Sequence, residues 1–363
     1  VTQVPHELWP VVCRLATGIE WPPRSEAEVS AFFDFANNQK VLPLLMEAGD
    51  LPSEIVAAKP RFQALRALYR KRYGLTKDAI LELQRVLGVD GFLLLKGSDY
   101  RHRLYARPEL RPMADVDILI PAAQFPDMIA RLTAAGYPRK YSDFGPGFAP
   151  GHHEISVEVG SVHVEPHRSF AQRVRASIDY DGMWQRREWF EADGIGAFRL
   201  SPVDAILAHA FTCAVEEFSS QLIRYVDFFL LLQQHEGELP ECVARAKSWG
   251  MERALFGSLY LVSSLFPAAA TAMVKDTIGS LLDASTRRFL VNHVLPDPAV
   301  EPSGHVTGRF VQLWRKYSLM DRHWRRLGLG AYSAYETAVG SVIEWRVRRS
   351  GRFIPPRPTT SSR

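Results

Sequence analysis

The sequence predicts an α/β (α+β) protein: a small mixed β-sheet core flanked by helical N-terminal and C-terminal regions. Three observations lead there. Apolar residues recur at helical spacing before residue 90 and again after residue 201. Between them the pattern changes to short strands, FLLL at 92–95, MADVDILI at 113–120, EISVEV at 154–159 and VHVEPH at 162–167. A length of 363 residues favours two or three structural units over one. They are expected at 1–89, 90–200 and 201–350, with a disordered tail at 351–363.

The elements follow in order. Ser25 precedes EAEVSAFFDFANN with Glu28 three positions on, a capping box that starts a helix. Residues 61–88 carry a helical apolar pattern interrupted near Gly74, which predicts two helices with Thr76 capping the second. FLLL is an apolar strand, and a helix starts near Ser98. MADVDILI is a strand of period two, and AAQFPDMIARLTAAG is a helix stopped by Gly136. Gly160-Ser161 joins the next two strands as a tight hairpin. Ser201-Pro202-Val203-Asp204 supplies a cap, a proline at the first helical position and an acid in the first turn. LIRYVDFFLLL at 222–232 is a mostly apolar helix.

Composition narrows the functional classes. The hydrophobic share of 47% and charged share of 23% are those of a globular protein. Cys13, Cys213 and Cys242 are far apart and form no CxxC pair, which argues against disulfides and zinc and for a reducing cytoplasm. The first twenty residues lack a basic segment leading into an apolar run, so no secretory signal is expected. Residues 254–274 carry no charge, but serines and Pro267 predict a buried helix pair rather than a membrane span. From Arg309 to Arg363 there are 12 Lys/Arg against 3 Asp/Glu, leaving the remainder near −5 within a net charge of +4. That basic end is read as a solvated tail or a contact for phosphates, RNA or acidic protein.

The chemistry concentrates in LLLKGSDYRHRLYARPELRPMADVDILIP, residues 93–121. Side chains alternate along a strand, so Asp115 and Asp117 share one face while Val116, Ile118 and Ile120 take the other. Two carboxylates about 7 Å apart repel unless a cation lies between them. Magnesium, with manganese as the alternative, suits such hard oxygen ligands. His163, Glu165 and His167 share a face of the hairpin strand, and Glu165 is the expected third acid if that strand lies beside 113–120. Gly97 lets backbone approach a phosphate, a helix beginning near Ser98 aims N–H groups at it, and Lys96 adds charge.

These residues resemble the DNA polymerase β-like nucleotidyltransferase superfamily, whose core motif is a hydrophobic residue and Gly-[Gly/Ser], a helix, then Asp-h-[Asp/Glu]-h and a later acid. The closer resemblance is to a bacterial family of uncharacterised nucleotidyltransferases, carried by LLLKGSDYRHRLY, RPMADVDILI, Val164-Glu165-Pro166-His167 and LIRYVDFFLLL. The resemblance implies metal binding by Asp115, Asp117 and Glu165 and triphosphate binding by Gly97 and Ser98. It also implies transfer of an NMP from an NTP to an acceptor, with release of pyrophosphate. A hydroxyl is the favoured acceptor group, on a small molecule, peptide or protein ahead of RNA. The rival readings are an inactive nucleotide-binding or interaction module and a toxin-like enzyme acting on RNA or protein.

Other residues carry less. Arg111 is expected to pair with Asp115 or a phosphate. Arg224 and Asp227, three apart on one helix, face one way and are read chiefly as a buried pair locking that helix to the core. His209 is read as a core histidine. His152-His153, behind the glycine-rich GPGFAPG loop, point to opposite faces if extended, which disfavours a shared metal.

Overall fold

The computed structural model describes residues 7–18, 22–23, 25–47, 59–140, 154–170, 175–297 and 309–322. The expectations for His152-His153, for the glycine-rich loop before them, for most of the basic C-terminal segment and for the tail lie outside these residues.

Helices α1 (Leu8–Thr17), α2 (Glu26–Asn38) and α3 (Leu42–Glu47) open the chain. The predicted capping box is present at α2: Glu28 N–H donates to Ser25 Oγ and Ser25 N–H to Glu28 Oε2. At its other end, Lys40 N–H donates to Asn37 O and Val41 N–H to Ala36 O. These two bonds make a Schellman motif. The residue at its left-handed position is Lys40, at φ 59°, where a side chain costs about 1 kcal/mol relative to glycine.

Residues 59–87 form one helix, α4 (Lys59–Leu87), not the expected pair. Gly74 sits inside it, and the Thr76 hydroxyl bonds back to Tyr73 O instead of capping a new helix. Gly74 costs about 1 kcal/mol relative to alanine. The burial of Ala79, Ile80, Leu83 and Leu87 against the sheet outweighs that.

The sheet has seven strands: β1 (Leu93–Leu94), β2 (Asp115–Leu119), β3 (Arg139–Lys140), β4 (Ser156–Val159), β5 (Val162–His167), β6 (Glu188–Ala192) and β7 (Ile195–Arg199). Their spatial order is β3-β4-β5-β2-β1-β7-β6. β2 runs parallel to β5 and β1 to β7, while the other neighbours are antiparallel, so the sheet is mixed as predicted. Gly160, at φ 62°, turns the chain between β4 and β5.

Short helices α5 (Lys96–Arg103), α6 (Phe125–Ala134) and α7 (Tyr180–Gln185) join these strands. The helical C-terminal part comprises α8 (Pro202–Val215), α9 (Leu222–His235), α10 (Leu239–Trp249), α11 (Glu252–Leu265), α12 (Ala272–Leu281), α13 (Ala284–His293) and α14 (Arg309–Ser318). The uncharged run 254–274 lies in α11, a 3-10 turn at Pro267–Ala269 and the start of α12, as expected of a buried helix pair. Among the described residues no helix is long and apolar enough to cross a membrane.

Strand alternation divides the core. Val116, Ile118 and Ile120 point into an apolar layer with α4 and α6. Leu93, Leu95 and Leu119 point the other way, into a larger layer built by α8, α9 and α11 together with α1 to α3. Asp115 and Asp117 share parity with Leu119, so they open on the face between the sheet and the two helical regions.

Candidate active site

Parallel pairing of β2 and β5 sets Asp117 opposite Glu165, Asp115 opposite His163 and Leu119 opposite His167. The adjacency expected of the hairpin strand is therefore present. A cleft on this face is lined by Asp115, Asp117, Glu165, Lys96 and Gly97, and by residues from distant segments, among them Lys40, Glu154, His209 and Arg224.

Asp117 lies at the centre. Its Oδ1 is 2.7 Å from Lys96 Nζ and 2.9 Å from His167 Nε2. Burial would raise this carboxyl, but the Lys96 charge and the His167 hydrogen bond outweigh it and hold Asp117 well below the usual carboxylate range. Glu165 moves the opposite way. Burial, then the neighbouring Asp117, Glu154 and Asp115 charges, push it up to about 7. His167 lies between acids, with Nδ1 3.1 Å from Glu154 Oε2 and Nε2 3.9 Å from Glu165 Oε2.

Asp117, Glu165 and His167 each offer one ligand atom, all within 4.8 Å of one another. This donor set fits a divalent cation. Carboxylate oxygens suit Mg²⁺ and Mn²⁺, and the imidazole nitrogen favours Mn²⁺ over Mg²⁺. A half-buried Glu165 whose carboxyl is pushed up to about 7 marks a place short of positive charge. Asp115 lines the same cleft, half-buried, but lies outside that compact trio. His167 thus joins the two acids as a candidate ligand, beyond the shared strand face on which the sequence places it. The signal available for it was the parity it shares with Glu165 on the strand.

The strand–turn–helix at 93–98 works differently in detail from the sequence reading. Lys96 adopts φ 47°, a left-handed conformation uncommon for a side-chain-bearing residue. It turns the chain sharply from β1 into α5. Ser98 is buried, and its hydroxyl accepts the Asp117 N–H at 3.0 Å, tying the turn to the aspartate strand. The room left by the missing side chain of Gly97 is filled by the Arg111 guanidinium: a Cβ there would lie 2.6 Å from Nη1.

Arg111 lines the cleft but takes Asp227, not Asp115, as its carboxylate partner. It is buried and donates to Asp227 through Nη2 at 2.6 Å and Nε at 3.2 Å. Tyr105 also donates to Asp227, at 2.6 Å. The expected Arg224–Asp227 pair is replaced accordingly. Asp227 locks α9 to the core through Arg111 and Tyr105, while Arg224 pairs with Glu216 at 2.6 Å. Local helical spacing shows only that Arg224 and Asp227 share a side; their partners come from far along the chain.

His209 is buried beside Tyr100 and Phe228, as a core histidine should be. Burial pushes it down to about 4, so the ring is neutral at pH 7. Among the described residues its Nε2 has no hydrogen-bond partner, and the residue reaches the cleft wall.

The mixed sheet thus sets an acid pair beside a parallel acid-bearing strand, next to a strand–Gly-Ser–helix turn. The comparison with known families agrees. The chain belongs to the family described as uncharacterised nucleotidyltransferase, whose model matches residues 25–267. It is therefore a transferase of phosphorus-containing groups. No curated protein matches the chain.

Proposed function

We propose that the protein transfers an NMP from an NTP to an acceptor hydroxyl and releases pyrophosphate, with divalent metal held by Asp117, Glu165, His167 and Asp115. The observation that carries this reading is the cluster of Asp117, Glu165 and His167, brought together from two parallel strands inside a nucleotidyltransferase family. A bound Mg²⁺ or Mn²⁺ supplies Lewis acidity at the phosphate and neutralises charge on the leaving pyrophosphate.

The protein's own residues do the rest. Lys96 neutralises Asp117 in the metal-free site and lies within reach of an incoming anion on the same wall of the cleft. Glu165 lies beside Asp117 on the same face of the cleft, where a carboxylate that would hold the metal also stands next to the incoming acceptor hydroxyl and would take its proton. The buried Arg111–Asp227 pair fixes the floor under Gly97. The acceptor is a small molecule, peptide or protein ahead of RNA.

Incubation with Mg²⁺ or Mn²⁺, each α-labelled NTP and a cell extract tests the reading. Label should pass to one acceptor class, with pyrophosphate released, and the transfer should vanish in Asp117→Ala. Nucleotide binding without transfer under both metals would refute it.

A further inference from the structure

Four cations line the cleft: Lys40, Lys96, Arg111 and Arg224. Three are matched to carboxylates, Lys96 to Asp117 at 2.7 Å, Arg111 to Asp227 at 2.6 Å and Arg224 to Glu216 at 2.6 Å. Lys40 has no such partner within 4.0 Å among the described residues. It comes from the end of α2, outside every motif that marks the acids.

The backbone at Lys40 sharpens the point. It occupies the left-handed position of the Schellman motif that closes α2. Glycine fits that position without strain, so the local fold gains nothing from a lysine there. The turn is also held firmly. Gln39 Oε1 accepts the Leu222 N–H at 2.8 Å, Gln39 O accepts the Ile223 N–H at 3.2 Å, and Gln221 Nε2 donates to Asn38 O at 2.8 Å. The turn thus caps the start of α9 and fixes the lysine at the cleft. Burial and the nearby Arg111 lower the Lys40 ammonium from its ordinary range, a penalty that an anion at this place removes.

We infer that Lys40 is a binding residue of the nucleotide site, whose ammonium contacts the polyphosphate tail of the substrate. The inference rests on the reading of the chain as an NTP-using enzyme. It adds to the catalytic strands a contact from the N-terminal helices, and it separates tail recognition from the acid cluster.

The test compares wild type, Lys40→Gly and Lys40→Arg by calorimetric titration with inorganic tripolyphosphate, a non-hydrolysable NTP and an NMP, at fixed ionic strength and Mg²⁺. Lys40→Gly should weaken tripolyphosphate and NTP binding about 10- to 100-fold, the loss of one charge-assisted contact. NMP binding should stay within about twofold, since the NMP lacks the tail. Lys40→Arg should restore most of the affinity. Lys40→Gly should melt no lower than wild type, because glycine relieves the left-handed strain. Equal tripolyphosphate affinity in Lys40→Gly and wild type overturns the assignment and leaves the enzyme reading standing. So does a variant whose only change is tighter Mn²⁺ binding, which would make Lys40 a mere counter-charge to Asp115. Failure of wild type to bind any NTP overturns both.

Discussion

Raising the pH of the metal-free protein from 5 to 8 should destabilise it through one carboxyl, Glu165. Its ordinary value is 4.5, and burial beside Asp117, Glu154 and Asp115 lifts it to about 7 in the folded protein. The folded state therefore keeps this proton over a range in which the unfolded chain has lost it. The resulting stabilisation is complete below pH 4.5 and disappears as pH rises through about 7. The gap between the two values corresponds to about 3.4 kcal/mol. The Glu165 side chain is 25% exposed, so solvent screening reduces this to about 1–2 kcal/mol, or roughly 1–3 °C in melting temperature for a chain of this length. A divalent cation competes with the same proton, so Mn²⁺ should restore the lost stability at pH 8 and do little at pH 5. The assay is thermal melting in chelator and in Mn²⁺ across that range, for wild type and Glu165→Gln. Glutamine cannot ionise, so the variant should lack this part of the pH dependence. If the two proteins melt in parallel from pH 5 to 8 in chelator, the electrostatic account of the cluster is wrong.

The other expectations are simpler. Asp117→Asn should lower nucleotidyl transfer by on the order of 10³-fold in steady-state assays, because the central carboxylate contacts both Lys96 and His167. Gly97→Ala places a Cβ 2.6 Å from Arg111 Nη1; because that guanidinium is pinned by Asp227, unfolding in urea should show a loss of about 1–3 kcal/mol. Asp227→Ala leaves the Arg111 charge buried without its partner, and the same measurement should show about 3–5 kcal/mol.

Local signals were legible where the physics is local. The α2 capping box, the Gly160 turn, the break before Pro267 and the shared face of Asp115 and Asp117 all depend on residues a few positions apart. Periodicity misled at Gly74, where burial along the sheet carried α4 through a weak helix former. Strands β6 and β7 carry no clear alternation: Gly196 lies in β7 with a Cβ position 2.6 Å from Trp189 Cζ2, a contact made across the pair. The partner of Arg111 lies 116 residues away and that of Gln39 183 residues away. No pattern of spacing reports such pairings, because they are products of the finished packing. The same reason hid Lys40, which local rules describe only as a helix end.

The docking of residues 38–39 on residues 221–223 bears on synthesis of the chain. All seven strands and the acids have emerged by residue 200, yet the wall that the α2 turn shares with α9 is still missing at that point. That wall waits for a loop closure spanning 183 residues, the slowest kind of contact to form. The wall of the cleft therefore closes only after residue 223 has emerged, and a sheet transplanted without its helices would carry the acids without that wall.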